Sequence, residues 1–482
     1  MPDFRDHVIV GSGFGGAIPA LRLAEAGEQV MVLERGRRLD RHDFRHSWAP
    51  RYLQTLYRTV LDASFEVTLR YANALGGGSL LFSGAMIRPP REVFDYRDAT
   101  GAHVWPESVT RAALDPHLLR VEQAMQVSQA GWDEVPKAGA AFAGLFGALG
   151  LTCDRVPFNY VDCLQCGFCE AGCRYDRKQS LILNYIPLAE AAGAEFRTEV
   201  EATAIAPHAR GWEVSVRHAD GRTDSVLCRR LILAANAIET PALLLRSRAR
   251  LPGLSDQVGR HFHNNGDLTW YFELPEGLVP PYRSYKGRTN AVMTTYAFWA
   301  EHQITIHTGT LPPGIFAGTD ISRAEEGPLG RPWGLEHKHW AKALYTTGRL
   351  VSALAIGLTD GEGTVRVDAD GRPQVDLPVT PVMQAYHDRV LGVARAVADA
   401  SGCQVLRSSK DGYERGGAHL LGSCRMGDDP ARSVCDAWGA VRGFSDLYVS
   451  DSSGLSAGTG VNPALTVAAN AERIAAHLVE TA

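Results

Sequence analysis

His7-Val8-Ile9-Val10-Gly11-Ser12-Gly13-Phe14-Gly15-Gly16 opens the chain as an apolar run feeding a glycine-rich turn. The run reads as a buried strand, Ala17–Ala26 as a helix and Gln29–Leu33 as a second strand. Strand, turn, helix and strand around G-x-G-x-x-G form the dinucleotide fingerprint. Gly11 allows the tight turn, Gly13 lets the backbone approach a diphosphate, and Gly16 allows helix and strand to pack closely. With Ser12, Phe14 and Gly15 they present free N–H groups at the positive end of a helix dipole. Glu34 ends the second strand, where a carboxylate accepts hydrogen bonds from the ribose hydroxyls of a dinucleotide. The bland alternative is a glycine-rich loop without a ligand. Pro19 falls inside the predicted helix and is expected to kink it. The fingerprint alone does not separate FAD from NAD.

The 482 residues exceed one compact core and point to two domains. Hydrophobic residues make up 45% and charged residues 21%, the balance of a globular protein. The net charge of −5 argues against nucleic acid as a partner. No apolar run is long enough for a transmembrane segment, and the early strand leaves no room for a signal peptide, so a cytoplasmic address is expected.

Farther along, Gly76-Gly77-Gly78-Ser79 is a second glycine turn, and Lys137–Gly150 reads as helical. Phe196–Ile205, Trp212–His218 and Ser225–Ala234 read as a strand meander with a turn at Asp220-Gly221. Leu231–Ala234 suits a buried parallel strand. Asp267–Gly357 predicts a second sheet, Thr364–Leu377 a hairpin, and Pro381–Ala400 a helix burying Tyr386, Val390, Val393, Ala394 and Val397.

Two C-terminal runs carry a family signature. Gly417-Ala418-His419-Leu420-Leu421-Gly422-Ser423 is one; Asp446–Ser453 followed by Gly460-Val461-Asn462-Pro463 is the other. With the second glycine turn and Leu233-Ala234-Ala235-Asn236, these make the chain resemble, end to end, the glucose–methanol–choline oxidoreductases, and among them the cholesterol-oxidase-like branch. The resemblance implies FAD. It implies contacts to FAD from Gly77, Gly78 and Ser79, from Asp451 near the ribityl and phosphate portion, and from Ala202 near adenine. His419 matches the family's active-site histidine and Asn462 its second active-site position. An imidazole titrating near neutrality suits removal of a hydroxyl proton while hydride leaves carbon. Asn462-Pro463 also has the form of a helix start, Asn as N-cap and Pro first in the helix, and the resemblance implies that the positive end of this helix faces reduced flavin. His419 as a structural histidine and Asn462 as a mere cap are the competing readings. Members with covalent flavin carry a His just after the second glycine turn. Leu81 and Phe82 stand there instead, so the FAD is expected to be non-covalent.

Cys163, Cys166, Cys169 and Cys173 follow the C-x2-C-x2-C-x3-C spacing of bacterial ferredoxins. This predicts an iron–sulfur cluster, 4Fe–4S if all four bind, relaying electrons to a carrier protein or quinone. Zinc fits less well, because it favours two separated knuckles. Arg174 replaces the usual Pro, and free or disulfide-paired cysteines are the alternative.

The expected architecture is α/β. A discontinuous Rossmann-type FAD domain takes residues 1–42, 195–262 and 412–482. Residues 43–194 form a substrate-domain and connecting region with the second glycine turn (76–79) and the cysteine run (163–173), and 263–411 a substrate domain on an antiparallel sheet. The expected substrate is a small-molecule alcohol, bulky and apolar such as a sterol. The aromatics Trp270, Tyr271, Phe272, Tyr282, Tyr285, Tyr296, Phe298 and Trp299 favour this, unless they are sheet core. The competitors are an oxygen-using oxidase without a cluster, a lyase, and an electron-transfer flavoprotein.

Overall fold

The computed structural model describes residues 3–64, 67–278, 287–288, 293–309, 322–323, 335–407 and 416–481. Asp3–Val10 forms a strand running parallel to Val30–Leu33 on one side and to Thr223–Leu233 on the other. All four residues of Val30–Leu33 are buried, as a parallel strand covered on both faces requires. The sheet runs Glu195–Arg197, Val30–Leu33, Asp3–Val10, Thr223–Leu233, Gly211–His218, Val200–His208, with Leu447–Val449 joining parallel to Thr223–Leu233. Three distant stretches of chain therefore build one sheet.

The strand expected at Phe196–Ile205 is two strands. Glu195–Arg197 joins the parallel side and Val200–His208 the antiparallel side. Glu199 between them takes the left-handed conformation, φ 59°, which lets the chain change partners. Helix Phe14–Glu25 starts earlier than expected and continues across Pro19, which costs it a ladder bond without ending it. It packs beside Ala464–Glu480, where Arg22 holds the buried Glu472 at 2.8 Å.

The second sheet is antiparallel, in the order Ser322–Arg323, Gln404–Arg407, Leu268–Glu273, Leu350–Gly357, Ile304–His307, Met293–Thr295, Asp154–Arg155. Helix Pro381–Ser401 lies on it and buries Tyr386, Val390, Val393, Ala394 and Val397, as its periodicity dictates. Helix Lys137–Gly147 adds Phe142 and Phe146 to the same core. The hairpin forms from Thr364–Val367 and Pro373–Asp376. Among the described residues, no helix is long and apolar enough to cross a membrane.

Candidate active site

The first glycine turn is closed by contacts that no side chain could share. A Cβ on Gly11 (φ +100°) would stand 2.2 Å from the Ala234 carbonyl oxygen, and one on Gly16 1.9 Å from the Gly11 oxygen. At Gly13 the situation is opposite: among the described residues, no atom lies within 4 Å of the Cβ position. Gly78 is equally open, and a Cβ on Gly77 would stand 2.9 Å from Gly13 Cα, so the two glycine turns abut. Ser12 joins them. Its hydroxyl donates to Glu34 Oε2 at 2.6 Å and accepts from the Gly76 N–H at 3.0 Å. Glu34 Oε1 accepts from the Gly36 N–H at 2.6 Å, so this carboxylate, expected to accept from ribose hydroxyls, also braces the turn. Ser79 donates to the Gly76 oxygen, and Phe82 meets Phe14 edge to face with centroids 5.9 Å apart.

Asp451 lies against this turn, since a Cβ on Gly15 would meet its Cα at 2.7 Å. Its carboxylate accepts from the Asn236 N–H, the Thr240 hydroxyl and Ser453, tying three segments to the turn. Ala202 is buried opposite Val216 in the antiparallel part of the sheet. The open space beside Gly13 and Gly78, at the N-terminus of helix Phe14–Glu25, is a cradle that fits a diphosphate.

His419 and Asn462 meet at the seam of the two sheets. Asn462 Nδ2 lies 3.3 Å from His419 Nε2, while His419 Nδ1 lies 2.9 Å from one oxygen of Asp267 and 2.8 Å from the other. Pro463, not Asn462, caps helix Ala464–Glu480, and no side chain bonds to that helix end. The expected capping role of Asn462 is thus corrected: its amide turns to the imidazole instead. Asn462 Oδ1 is buried without a hydrogen-bond partner among the described residues. An orphaned acceptor costs about 1–3 kcal/mol, which any N–H or O–H donor entering the site would recover. His419 keeps 21% of its side chain exposed, so a substrate can reach it.

The electrostatics follow from burial and pairing. Burial pulls the His419 imidazole down, but the Asp267 carboxylate, with Glu170 adding, outweighs burial and holds its pKa above the usual histidine value. Burial pushes the Asp267 carboxyl above its usual range, with His419 opposing. His307, buried nearby, is lowered to about 3 by burial and by the charge of His419, so it is neutral.

The GMC oxidoreductase profile matches residues 6–265, and its C-terminal counterpart matches 362–471. The chain belongs to the GMC oxidoreductase family. It is accordingly an FAD-dependent enzyme acting on CH–OH donors. It is 29% identical to a cholesterol oxidase of Mycobacterium tuberculosis, over 98% of this chain and 91% of that one. It is also 29% identical to the 6'''-hydroxyparomomycin C oxidase of Streptomyces lividus, over 98% and 92%. The solved pyridoxine 4-oxidase from Mesorbium loti shares its fold, with a TM-score of 0.70 at 18% identity over 98% and 99% of the two chains.

In this GMC oxidoreductase the cysteine run takes a different form from the one its spacing predicts. Cys166 is exposed, Cys169 buried, and Cys163 and Cys173 half-buried, all as free thiols. A short 3-10 turn, Cys169–Ala171, carries Cys169 inward while Cys166 stays outside. Among the described residues, no group of three or more His, Cys, Asp or Glu is arranged to hold a metal. Burial raises Cys163 to about 11 and Cys166 above the usual thiol value, so both are protonated at neutral pH. The expected 4Fe–4S cluster on Cys163, Cys166, Cys169 and Cys173 is not supported by this geometry.

The loop is instead bound to the flavin-side turn by Lys178, a residue the sequence reading passed over. The buried ammonium donates to the carbonyls of Leu80, Phe82 and Cys169 at 2.7, 2.8 and 2.7 Å. Replacing it by Met strands three buried acceptors, each costing about 1–3 kcal/mol less any water that enters. Lys178→Met is therefore expected to lower the midpoint of thermal unfolding by several degrees, measured by flavin-release fluorescence.

Asp267 was also passed over. Its signal was the polar run His263-Asn264-Asn265-Gly266-Asp267 set directly before the apolar strand Leu268–Glu273. Of the aromatics, Trp270, Tyr271 and Phe272 are fully buried sheet core. Trp299 is different. A Cβ on Gly460 would stand 2.3 Å from its ring, so it walls the segment leading to Asn462. Tyr282 and Tyr285 lie outside the described residues.

Proposed function

We propose that the protein oxidises a bulky, largely apolar alcohol to a carbonyl compound and returns the electrons to oxygen. The observation that carries this is the contact of His419 Nε2 with Asn462 beside an orphaned, buried amide oxygen. FAD would be held without a covalent bond, its diphosphate at Gly11–Gly16 and Gly77–Ser79. Asp451 and Glu34 would brace that cradle. When bound, FAD supplies the hydride acceptor that no protein side chain provides.

The residues of the chain do the rest. Asn462 orients the substrate oxygen by donating an amide N–H from Nδ2, which leaves the single hydroxyl hydrogen facing His419. His419 Nε2 takes the hydroxyl proton, which raises electron density on the substrate oxygen and weakens the neighbouring C–H bond. Asp267 stabilises the imidazolium that results. The closed sheet seam around His307, Thr305 and Gly460 keeps bulk water away.

The names of the two curated relatives, both oxidases, support oxygen as acceptor over the carrier protein or quinone expected from the cysteine run. Their substrates differ in polarity, and Trp299 beside Gly460 supports the apolar one. The test is anaerobic mixing of the holoprotein with cholesterol, a long-chain primary alcohol and an amino-sugar alcohol. Bleaching of the flavin by the sterol or the long-chain alcohol, followed by one peroxide per turnover in air, is the expected result. Bleaching by the amino sugar alone would overturn the apolar reading. Bleaching by an alcohol without peroxide would overturn oxygen as acceptor.

A further inference from the structure

His419 is held from two sides by one short turn. Residues Asn264-Asn265-Gly266-Asp267 precede the strand Leu268–Glu273. Asn265 takes the left-handed conformation, φ 62°, and Gly266 follows at φ 71°. Asn tolerates this conformation better than most side chains and Gly adopts it freely. The tight turn aims two side chains differently.

Asn265 reaches the C-terminal segment. Its Oδ1 accepts from the Thr459 N–H at 2.8 Å and its Nδ2 donates to the Val461 oxygen at 2.8 Å. Both contacts fall directly before Asn462. Two residues on, Asp267 reaches His419 Nδ1 with both oxygens within 2.9 Å. Gly417 is needed for this approach, because a Cβ there would stand 2.8 Å from Asp267 Oδ2. The backbone at Gly417 is fixed in turn by hydrogen bonds with Thr68 and Arg70.

We infer that Asp267 is the positioning residue of His419. Its carboxylate selects the tautomer with hydrogen on Nδ1 and leaves the Nε2 lone pair, beside Asn462, to take the substrate's proton. The inference rests on the function proposed above for its chemistry, but its geometry stands apart. A carboxylate accepts hydrogen bonds only, so the facing ring nitrogen must carry the hydrogen. Nε2 is then free of hydrogen in the neutral ring, as a base requires. During turnover the substrate O–H bond breaks and its proton joins Nε2. The carbinol C–H bond breaks, its hydride going to the acceptor that bound FAD would supply, and the C–O bond becomes a carbonyl. The imidazolium so formed faces a carboxylate rather than apolar wall.

The other groups near the pair are few. His307 faces His419 from the strand Ile304–His307 and is neutral. Glu170 faces it from the cysteine loop and adds to the effect of Asp267. Tyr386 faces Asp267 from helix Pro381–Ser401, its hydroxyl donating to the Gly266 oxygen at 2.7 Å. None of these touches the imidazole at hydrogen-bond distance, whereas Asp267 does.

The test uses the FAD-loaded protein with 15N-labelled histidine, in the native form and as Asp267→Asn, with His419→Gln to assign the resonances. Expected for the native protein is an Nδ1–H tautomer titrating above 6.5. In Asp267→Asn the midpoint should fall by about 1–2 pH units, and the tautomer should mix or invert, because an amide can also donate. An unchanged midpoint and tautomer would overturn the inference whatever substrate is used. Should Asp267→Asn fail to fold, Gly417→Ala presses on the same carboxylate and should move the midpoint in the same direction. With an alcohol that bleaches the flavin, the acid limb of the reduction rate should move down with the midpoint in Asp267→Asn. The double variant should be no slower than His419→Gln alone. If no alcohol bleaches the flavin, the proposed function fails while the titration still judges Asp267.

Discussion

His419→Gln is expected to slow reduction of the bound flavin by its alcohol about 100- to 10,000-fold, the usual contribution of a positioned general base. The glutamine amide can hold the place of the ring but cannot take a proton. Binding of FAD should change little, because the ring of His419 bonds to Asp267 and Asn462. Stopped-flow absorbance under anaerobic conditions separates the two, reading flavin content from the spectrum and the rate from its bleaching. A loss smaller than tenfold would mean that another group takes the proton. The native enzyme should also lose activity as pH falls through the titration of His419. Burial lowers its pKa, but the Asp267 carboxylate outweighs burial and raises it, so the acid limb of the rate should lie above that of an ordinary imidazole and the rate should rise toward alkaline pH.

The second large effect is expected at the first glycine turn, where two substitutions should fail differently. Gly16→Val places a side chain 1.9 Å from the Gly11 oxygen, and Gly11 is itself pinned by its N–H to the Leu33 oxygen at 2.8 Å. Neither backbone can yield, so no soluble holoprotein is expected. At Gly13 the Cβ of a valine meets no described atom within 4 Å, and the φ of −69° suits any residue. That variant should fold as the native chain does and yet bind FAD roughly 10- to 100-fold more weakly, since the new methyls occupy the diphosphate's place. Circular dichroism and flavin fluorescence on titration with FAD measure the two properties. A Gly13→Val protein with undiminished FAD affinity would show that the diphosphate lies elsewhere.

Much of this could be read from the residues in order. The G-x-G-x-x-G turn, the apolar strands beside it and the 3.6-residue periodicity of Pro381–Ser401 are local patterns, set by backbone sterics and by burial of one face. Pairings to distant partners were harder. Glu195–Arg197 and Val200–His208 form one β-rich stretch in sequence, and only the competition for two neighbouring strands divides them at Glu199. The cysteine spacing fits a cluster on paper. Its metal-binding reading depends on the four sulfurs converging on one centre, and among the described residues no such group of three or more ligands is found.

The sequence by itself determined the dinucleotide fold and the family, and it pointed to two groups of the candidate site, His419 and Asn462, because each lies in a contiguous motif. Only the tertiary structure supplied Asp267, 152 residues from His419, Lys178, and the release of Asn462 from helix capping. The physical reason is that a tautomer, a buried cation and an amide's orientation are decided by hydrogen bonds across space. Such partners leave no period or spacing in the chain that carries them.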